Sequence, residues 1–311
     1  VDINSTSLGQ DQNGNDIYLK DIWPKCRLIT YLEWWFKEES EFLKYDQENS
    51  YLSINKDSIK RLWEKNMTMS MEIICADAVL CPTEWQRSQC PELIRDKLQV
   101  LPEGVDTKYF KPIESDKSDP YITYGTRGME PIRGFDKLIY SIPKILKKWP
   151  KLRIEIAGED GIFYGGKCPD KFSSWGKWAQ SYLKEHKIDD RVIWKGRLQG
   201  KSYIEWLQNS SCHIYLSHPF VISWSLIEAY CCGIPIVSSD IYGAREICKN
   251  TAIYVDHRNY DQIVEGVNAS IRSIDLIKKE IRKQRDISRF DYKRHLHAWD
   301  VLISDLSERK K

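Results

Sequence analysis

Two arginines six residues apart, Arg127 and Arg133, stand in the stretch "GTRGMEPIRGF" among Gly125, Gly128 and Gly134. Glycine lets a backbone turn tightly, and a guanidinium presents a planar fork of donors that matches phosphate oxygens. Two such forks on one strand-to-helix loop can clamp a diphosphate; the alternative is a pair of solvated loop arginines paired with Glu130. A second cluster lies in "HPFVISWSLIEAYCCGIPIVSSD", residues 218–240, where one acid, Glu228, interrupts an apolar helix expected to start near Ser225. Ser225 and Glu228 fit the S-x-x-E capping box, in which the acid reaches back to a backbone N–H in the first turn. The same carboxylate can accept hydrogen bonds from two neighbouring sugar hydroxyls, as acids grip ribose, while "FVIS" and the helix start hold an anion. On spacing alone both readings stand.

Other candidates are weaker in pattern. "AGEDGIFYGG" sets Gly158, Gly161, Gly165 and Gly166 around Glu159 and Asp160; it reads as a flexible loop over a ligand or as a turn-rich connector, and it is not a GxGxxG fingerprint. His218 follows a strand and precedes "PFVIS", which makes it the one histidine at a ligand edge. The chain has no HxxxH, HExxH, GxSxG or P-loop pattern and no CxxC metal spacing, so no metal is expected.

The elements that must position these residues alternate. "RLITYLEWW" (27–35), "DAVLCPT" (77–83) and the start of "KLQVLPEGVDTKYFKP" (97–112) read as strands, with helices over 58–76 and from 84. A Pro/Gly-rich connector then marks a domain boundary at 112. Beyond it "YITYG" (121–125) is a strand, and the helix over 134–149 puts Phe135, Leu138, Ile139, Ile142, Ile145 and Trp149 on one stripe,. Strand and helix continue to alternate through "KLRIEIAG", "RVIWKG", "CHIYLSH", "IPIVSSD" and "TAIYVD". Repeated β–α–β units demand right-handed crossovers and a parallel sheet covered on both faces. Ligands bind such sheets where strands end and helices begin, which directs attention to loops 125–134, 158–167, 196–200 (with Gly196 and Arg197) and 217–225.

Composition narrows the class. The chain has 311 residues, enough for two domains, and a formal net charge of +2,. Without a polybasic bias, nucleic acid is not an expected partner. Nine cysteines with no paired spacing read as buried thiols of a reduced, cytoplasmic protein,. No run of 18 apolar residues marks a membrane span. A peripheral contact with the inner face of a membrane is left open. The first residues form neither a signal peptide nor an initiator Met, and the chain reads as a fragment or as one that has lost its start.

The combination of "PFVISWSLIEAYCCGIPIVSSD", "GTRGMEPIRGFDKLI", "IAGEDGIFYGG" and "ADAVLCPTEWQRSQCPELIRDKLQVLPEGVDTKYFKP", in that family's order over about residues 27–305, resembles family 4 of the nucleotide-sugar glycosyltransferases. The fold implied is α/β and GT-B-like: a complete C-terminal Rossmann-like doubly wound parallel sheet (113–285) and a truncated N-terminal Rossmann-like, acceptor-side part (27–112). An irregular lead-in (1–26) precedes them, and terminal helices (286–311) are expected to cross back to the N-terminal part. In the lead-in, "NGNDIYLKDIWP" resembles a short segment of aconitases.

By the family resemblance Arg127 and Arg133 fall on the basic pair that neutralises the donor diphosphate. Glu228 falls on the second acid of the E-x7-E motif, which holds the donor ribose. Phe220 stands where the first acid, which touches the transferred sugar, is expected; here the main-chain N–H groups of Val221, Ile222 and Ser223 are expected to hold the sugar instead. Gly125, Gly128, Asp160, Gly196, Arg197, His218, Phe220 and Ser225 complete the implied donor site. The activity implied is retaining, metal-independent transfer of a hexose from a nucleoside diphosphate sugar to a glycan or lipid-linked acceptor, as in polysaccharide biosynthesis, with no cofactor beyond the donor itself. A non-catalytic nucleotide-sugar binding remnant is the alternative.

Overall fold

The computed structural model describes residues 9–17, 26–37, 56–114, 120–164 and 167–308. Among these the chain divides into two compact units. One is built from the residues up to Gly104 together with those from Tyr292 onward, and the other is Val105–Asp291.

The first unit carries a short hairpin, β1 (Gly9–Gln10) with β2 (Asp16–Ile17), inside the stretch expected to be irregular. Asp11 closes its turn by accepting the N–H groups of Asn13 and Asn15 at 2.8 and 2.9 Å. The strands β3 (Ile29–Tyr31), β4 (Ala78–Cys81) and β5 (Leu98–Val100) form a parallel sheet in that order. One face buries Val79, Cys81 and Leu98 with Leu32, Trp35 and Ile73 of helix Lys56–Cys75. Ala78 and Leu80 point the other way, as period-two alternation requires, and receive Leu302 and Leu306 from helix Tyr292–Glu308.

The second unit is a six-stranded parallel sheet of β6 (Tyr121–Gly128), β7 (Arg153–Glu159), β8 (Val192–Gly196), β9 (Cys212–Tyr215), β10 (Ile236–Ser239) and β11 (Ile253–Val255). Its order across the sheet is β8-β7-β6-β9-β10-β11. Numbered along the chain, that is the 3-2-1-4-5-6 arrangement of a doubly wound dinucleotide-type fold. Between β6 and β9 the strand order reverses direction, the switch point at which ligands bind in such folds,.

Helix Phe135–Lys148 shows why the sequence pattern selects this packing. Phe135, Leu138, Ile139, Ile142 and Ile145 are all fully buried against the sheet, each contributing about 1.5–3 kcal/mol of burial. Trp149, expected on the same stripe, lies just past the helix end and is half-buried. The helix begins at Gly134, whose φ is +73°, and a Cβ there would lie 2.1 Å from the carbonyl oxygen of Leu216. Only glycine supplies both the left-handed turn and that close approach, and so the loop after β6 lies directly against the loop after β9.

Candidate functional site at the switch point

Strand β6 runs three residues further than its apolar part foretells, through Gly128. Arg127 is therefore on the end of a strand and exposed, rather than on the loop that holds Arg133. Arg133 closes a single 3-10 turn, Pro131–Arg133, and is buried. A pocket of about 190 Å³ opens beside Gly125, Thr126 and Arg127 of β6, lined also by Gly158 at the end of β7, Arg197 and Tyr203 after β8, and Ser223, Ser225 and Glu228 after β9. Loops from four strands thus meet at the carboxyl edge of the sheet, where ligands bind in such folds.

Glu228 enters from helix Trp224–Cys232, which begins one residue earlier than expected. Glu228 falls in its second turn, out of reach of a capping box, and the N-cap, Ser223, makes no side-chain cap bond. Ser225 Oγ instead lies 3.1 Å from Ser223 Oγ and donates to the carbonyl of Gly125 at 3.4 Å. The Glu228 carboxylate, almost fully buried, accepts the phenol proton of Tyr203 at 2.5 Å. Burial first, and then the charge of Glu228, hold that phenol well above its ordinary pKa, so Tyr203 remains a donor,. Nothing in the spacing of "GRLQGKSYIEW" signals this partner; it becomes visible only when helix Gly200–Gln208 packs beside the Glu228 helix.

The two arginines are not equivalent. Arg127 has its guanidinium 4.5 Å from the Phe163 ring. Arg133 donates from Nη1 to the carbonyl of Val221 at 2.7 Å and to Ser217 Oγ at 3.1 Å, and faces the rings of Tyr164 and Phe220 at 5.0 and 5.5 Å. Phe220, at the position of the first motif acid, packs edge-on to Tyr164 with centroids 5.1 Å apart. The Glu130 carboxylate accepts the backbone N–H groups of Phe163 and Tyr164 and so ties two loops together. None of Glu130, Phe163 and Tyr164 was legible as a site residue, because their meeting depends on β6 and β7 being neighbours.

Other expected donor residues have other employment. Asp160 accepts the N–H of Gly176 at 2.8 Å and the hydroxyl of Ser174, capping helix Trp175–Glu185. His218 is buried, donates its backbone N–H to Ile132, and has its ring 5.2 Å from that of His257. Both residues lie outside the pocket lining because the helix start and the interior claim them. The N–H of Ser223 is directed at Tyr215 Oη at 3.2 Å, and Ile222 is buried. At the mouth, Arg197 pairs with Glu159 at 3.2 Å, just after Gly196, whose φ is +60°. Gly165 and Gly166 lie outside the described residues.

Sheet order and crevice together are those of a doubly wound α/β ligand-binding unit. Residues 105–286 match the family model of glycosyl transferases group 1, and residues 8–110 match that of the glycosyl transferase family 4 group. The chain belongs to the group 1 glycosyltransferases, of the family 4 kind. The second match takes in residues 8–26 of the stretch set apart above as a lead-in.

Among curated proteins the chain is 22% identical over 229 residues to the phosphatidylinositol N-acetylglucosaminyltransferase GPI3 subunit of Saccharomyces cerevisiae, covering 70% of this chain and 48% of that protein. It thus spans about half the length of that relative. It is 26% identical over 160 residues to a probable sucrose-phosphate synthase of Thermosipho melanesiensis, covering 50% of this chain and 36% of that protein. Among solved structures it resembles Anabaena Alr3699/HepE in complex with UDP-glucose, with a TM-score of 0.68, 13% identity and coverage of 92% of this chain and 74% of that one. Sucrose-phosphate synthase from Thermosynechococcus elongatus gives a TM-score of 0.67 at 14% identity, covering 92% of this chain and 70% of that one. The fold is GT-B-like. Among the described residues no helix is long and apolar enough to cross a membrane.

Proposed function

We propose that the Val105–Asp291 unit binds a nucleoside diphosphate sugar, and that the protein transfers its hexose, with retention, to a glycan or lipid-linked acceptor. The observation that carries this reading is the convergence of Arg127 and the Tyr203–Glu228 pair on one pocket at the switch point. A buried carboxylate held by a phenol suits ribose hydroxyls, and an exposed guanidinium at a strand end suits a diphosphate. Departure of the nucleoside diphosphate develops negative charge that Arg127 and the start of helix Trp224–Cys232 can stabilise, so catalysis is mainly positioning and charge stabilisation. Positive charge supplied by arginine makes a divalent metal unnecessary in this scheme, and chelator should leave the rate unchanged. A UDP-glucose complex of a protein with the same fold makes UDP sugars the first donors to try.

A second reading, a nucleotide-sugar binder without transferase activity, draws on Phe220 in place of the first motif acid and on the engagement of Arg133 with Val221 and Ser217. Thermal shift and calorimetry with UDP, GDP, ADP and their sugars test donor binding, since a ligand that binds the native state raises its melting point. A shift that Arg127→Ala and Glu228→Ala both lose supports the donor site, and silence with every nucleotide removes it. Product formation with any acceptor would exclude the binder reading.

A further inference from the structure

We propose that Glu130 is a positioning residue for the arginine pair: through the backbone of Phe163 and Tyr164 it holds two aromatic rings over Arg127 and Arg133. This inference rests on the donor-site reading above. Glu130 is completely buried, and one oxygen, Oε2, accepts both the Phe163 and the Tyr164 N–H, at 3.1 and 2.9 Å. Two successive amides aimed at one carboxylate oxygen fix the stretch of main chain from which both side chains leave. The Phe163 ring then lies against the Arg127 guanidinium and the Tyr164 ring against that of Arg133, at 4.5 and 5.0 Å.

The rest of the contact is built around the same placement. Met129 donates its N–H to the carbonyl of Glu159 at 3.0 Å, carrying the β6–β7 pairing up to the residue before Glu130. A Cβ on Gly128 would lie 2.4 Å from the Phe163 ring and 2.6 Å from the carbonyl of Gly161, so the bare backbone there is what admits the ring. Phe163 and Tyr164 remain about 40% exposed, which is more than hydrophobic burial alone would leave for residues so well anchored. Their use is in what they face.

Arginine has many rotamers to lose on binding, and an exposed one such as Arg127 samples them freely unless a neighbour restrains it. The Phe163 ring beside the exposed Arg127 guanidinium restrains it without using its N–H donors, which remain for phosphate oxygens, while Arg133 is held also by Val221 and Ser217,. Cations already held in the bound geometry lose less freedom when a diphosphate arrives. Glu130 touches neither nucleotide nor sugar in this scheme and acts through the loop.

The test compares Glu130→Ala and Glu130→Gln with the wild type, titrating the full chain with UDP, GDP and ADP and with uridine, guanosine and adenosine. Glutamine keeps an oxygen for both N–H groups, whereas alanine leaves them without it. Glu130→Ala should weaken the diphosphate that binds the wild type by about tenfold through lost preorganisation, leave the matching nucleoside unchanged, and be rescued to near wild type in Glu130→Gln. Equal affinity for the diphosphate in Glu130→Ala, or equal loss of diphosphate and nucleoside, would overturn the positioning role. A wild type that binds no diphosphate would sink the donor-site reading itself and this inference with it.

Discussion

Tyr203 donates its phenol proton to Glu228 Oε2 at 2.5 Å, from one helix to the next, at the floor of the switch-point pocket. The bond fixes which oxygen of the carboxylate faces the protein and which way its plane turns. Tyr203→Phe removes it without changing the volume of the ring. A hydrogen bond to a charged group contributes about 1.5–3 kcal/mol. We expect a rise of about tenfold in the donor-sugar KM or more, with kcat little changed, read from initial rates at saturating acceptor.

Arg127→Ala should separate catalysis from folding. The side chain is exposed, and its aromatic contact with Phe163 is worth only about 0.5–1 kcal/mol at such a site,. Losing a cation at the point of developing charge typically lowers kcat by about 10²–10³. A melting temperature within a few degrees of wild type, together with such a fall in kcat, is the expected pair of results. A normal kcat would remove Arg127 from the chemistry.

Acid should unfold the second unit through its buried histidines. His213 is wholly buried with Nδ1 3.0 Å from Thr123 Oγ1, and burial pushes its pKa from 6.5 down to about 3. His257 is shifted the same way, by burial first and then by His218. The folded-state values are depressed, so the stability is complete above pH 6.5, declines as pH falls, and reaches its floor near pH 3 for His213. The loss at the floor is on the order of a few kcal/mol. Urea midpoints at pH 7 and pH 4 should differ clearly in the wild type and less in His213→Leu.

Gly134→Ala should cost about 2 kcal/mol or more, because strain at a left-handed φ adds to a clash with the Leu216 carbonyl,. Denaturant unfolding measures it. The same change should lower donor affinity, since the turn carries Arg133 to Ser217 and Val221.

The alternation of apolar strands with one helical stripe was enough to read the second unit strand by strand, because a parallel sheet covered on both faces leaves a simple pattern. Loops 125–134, 196–200 and 217–225 were identified for the same reason, and each contributes to the pocket. Partnerships between side chains were not legible. The S-x-x-E spacing fitted a capping box, yet the helix starts at Trp224 and Glu228 turns to Tyr203. Asp160 looked free for a ligand until helix Trp175–Glu185 claimed it as a cap. Such choices depend on which elements become neighbours, and strand order across a sheet is not written in any one stretch of residues.

Phe220 has a consequence for how this sequence can change. Its ring meets Tyr164 edge-on and covers Arg133, whose Nη1 is bound to Val221 and Ser217. Phe220→Glu alone would set a carboxylate against the Tyr164 ring and draw the guanidinium from its present acceptors. A cycle combining Phe220→Glu with Tyr164→Ala should show strong non-additivity in stability, and additive effects would contradict this. If the coupling is there, no single substitution restores the two-acid pattern at neutral fitness: the aromatic is held in place by epistasis, and an acid at position 220 requires a change at Tyr164 in concert.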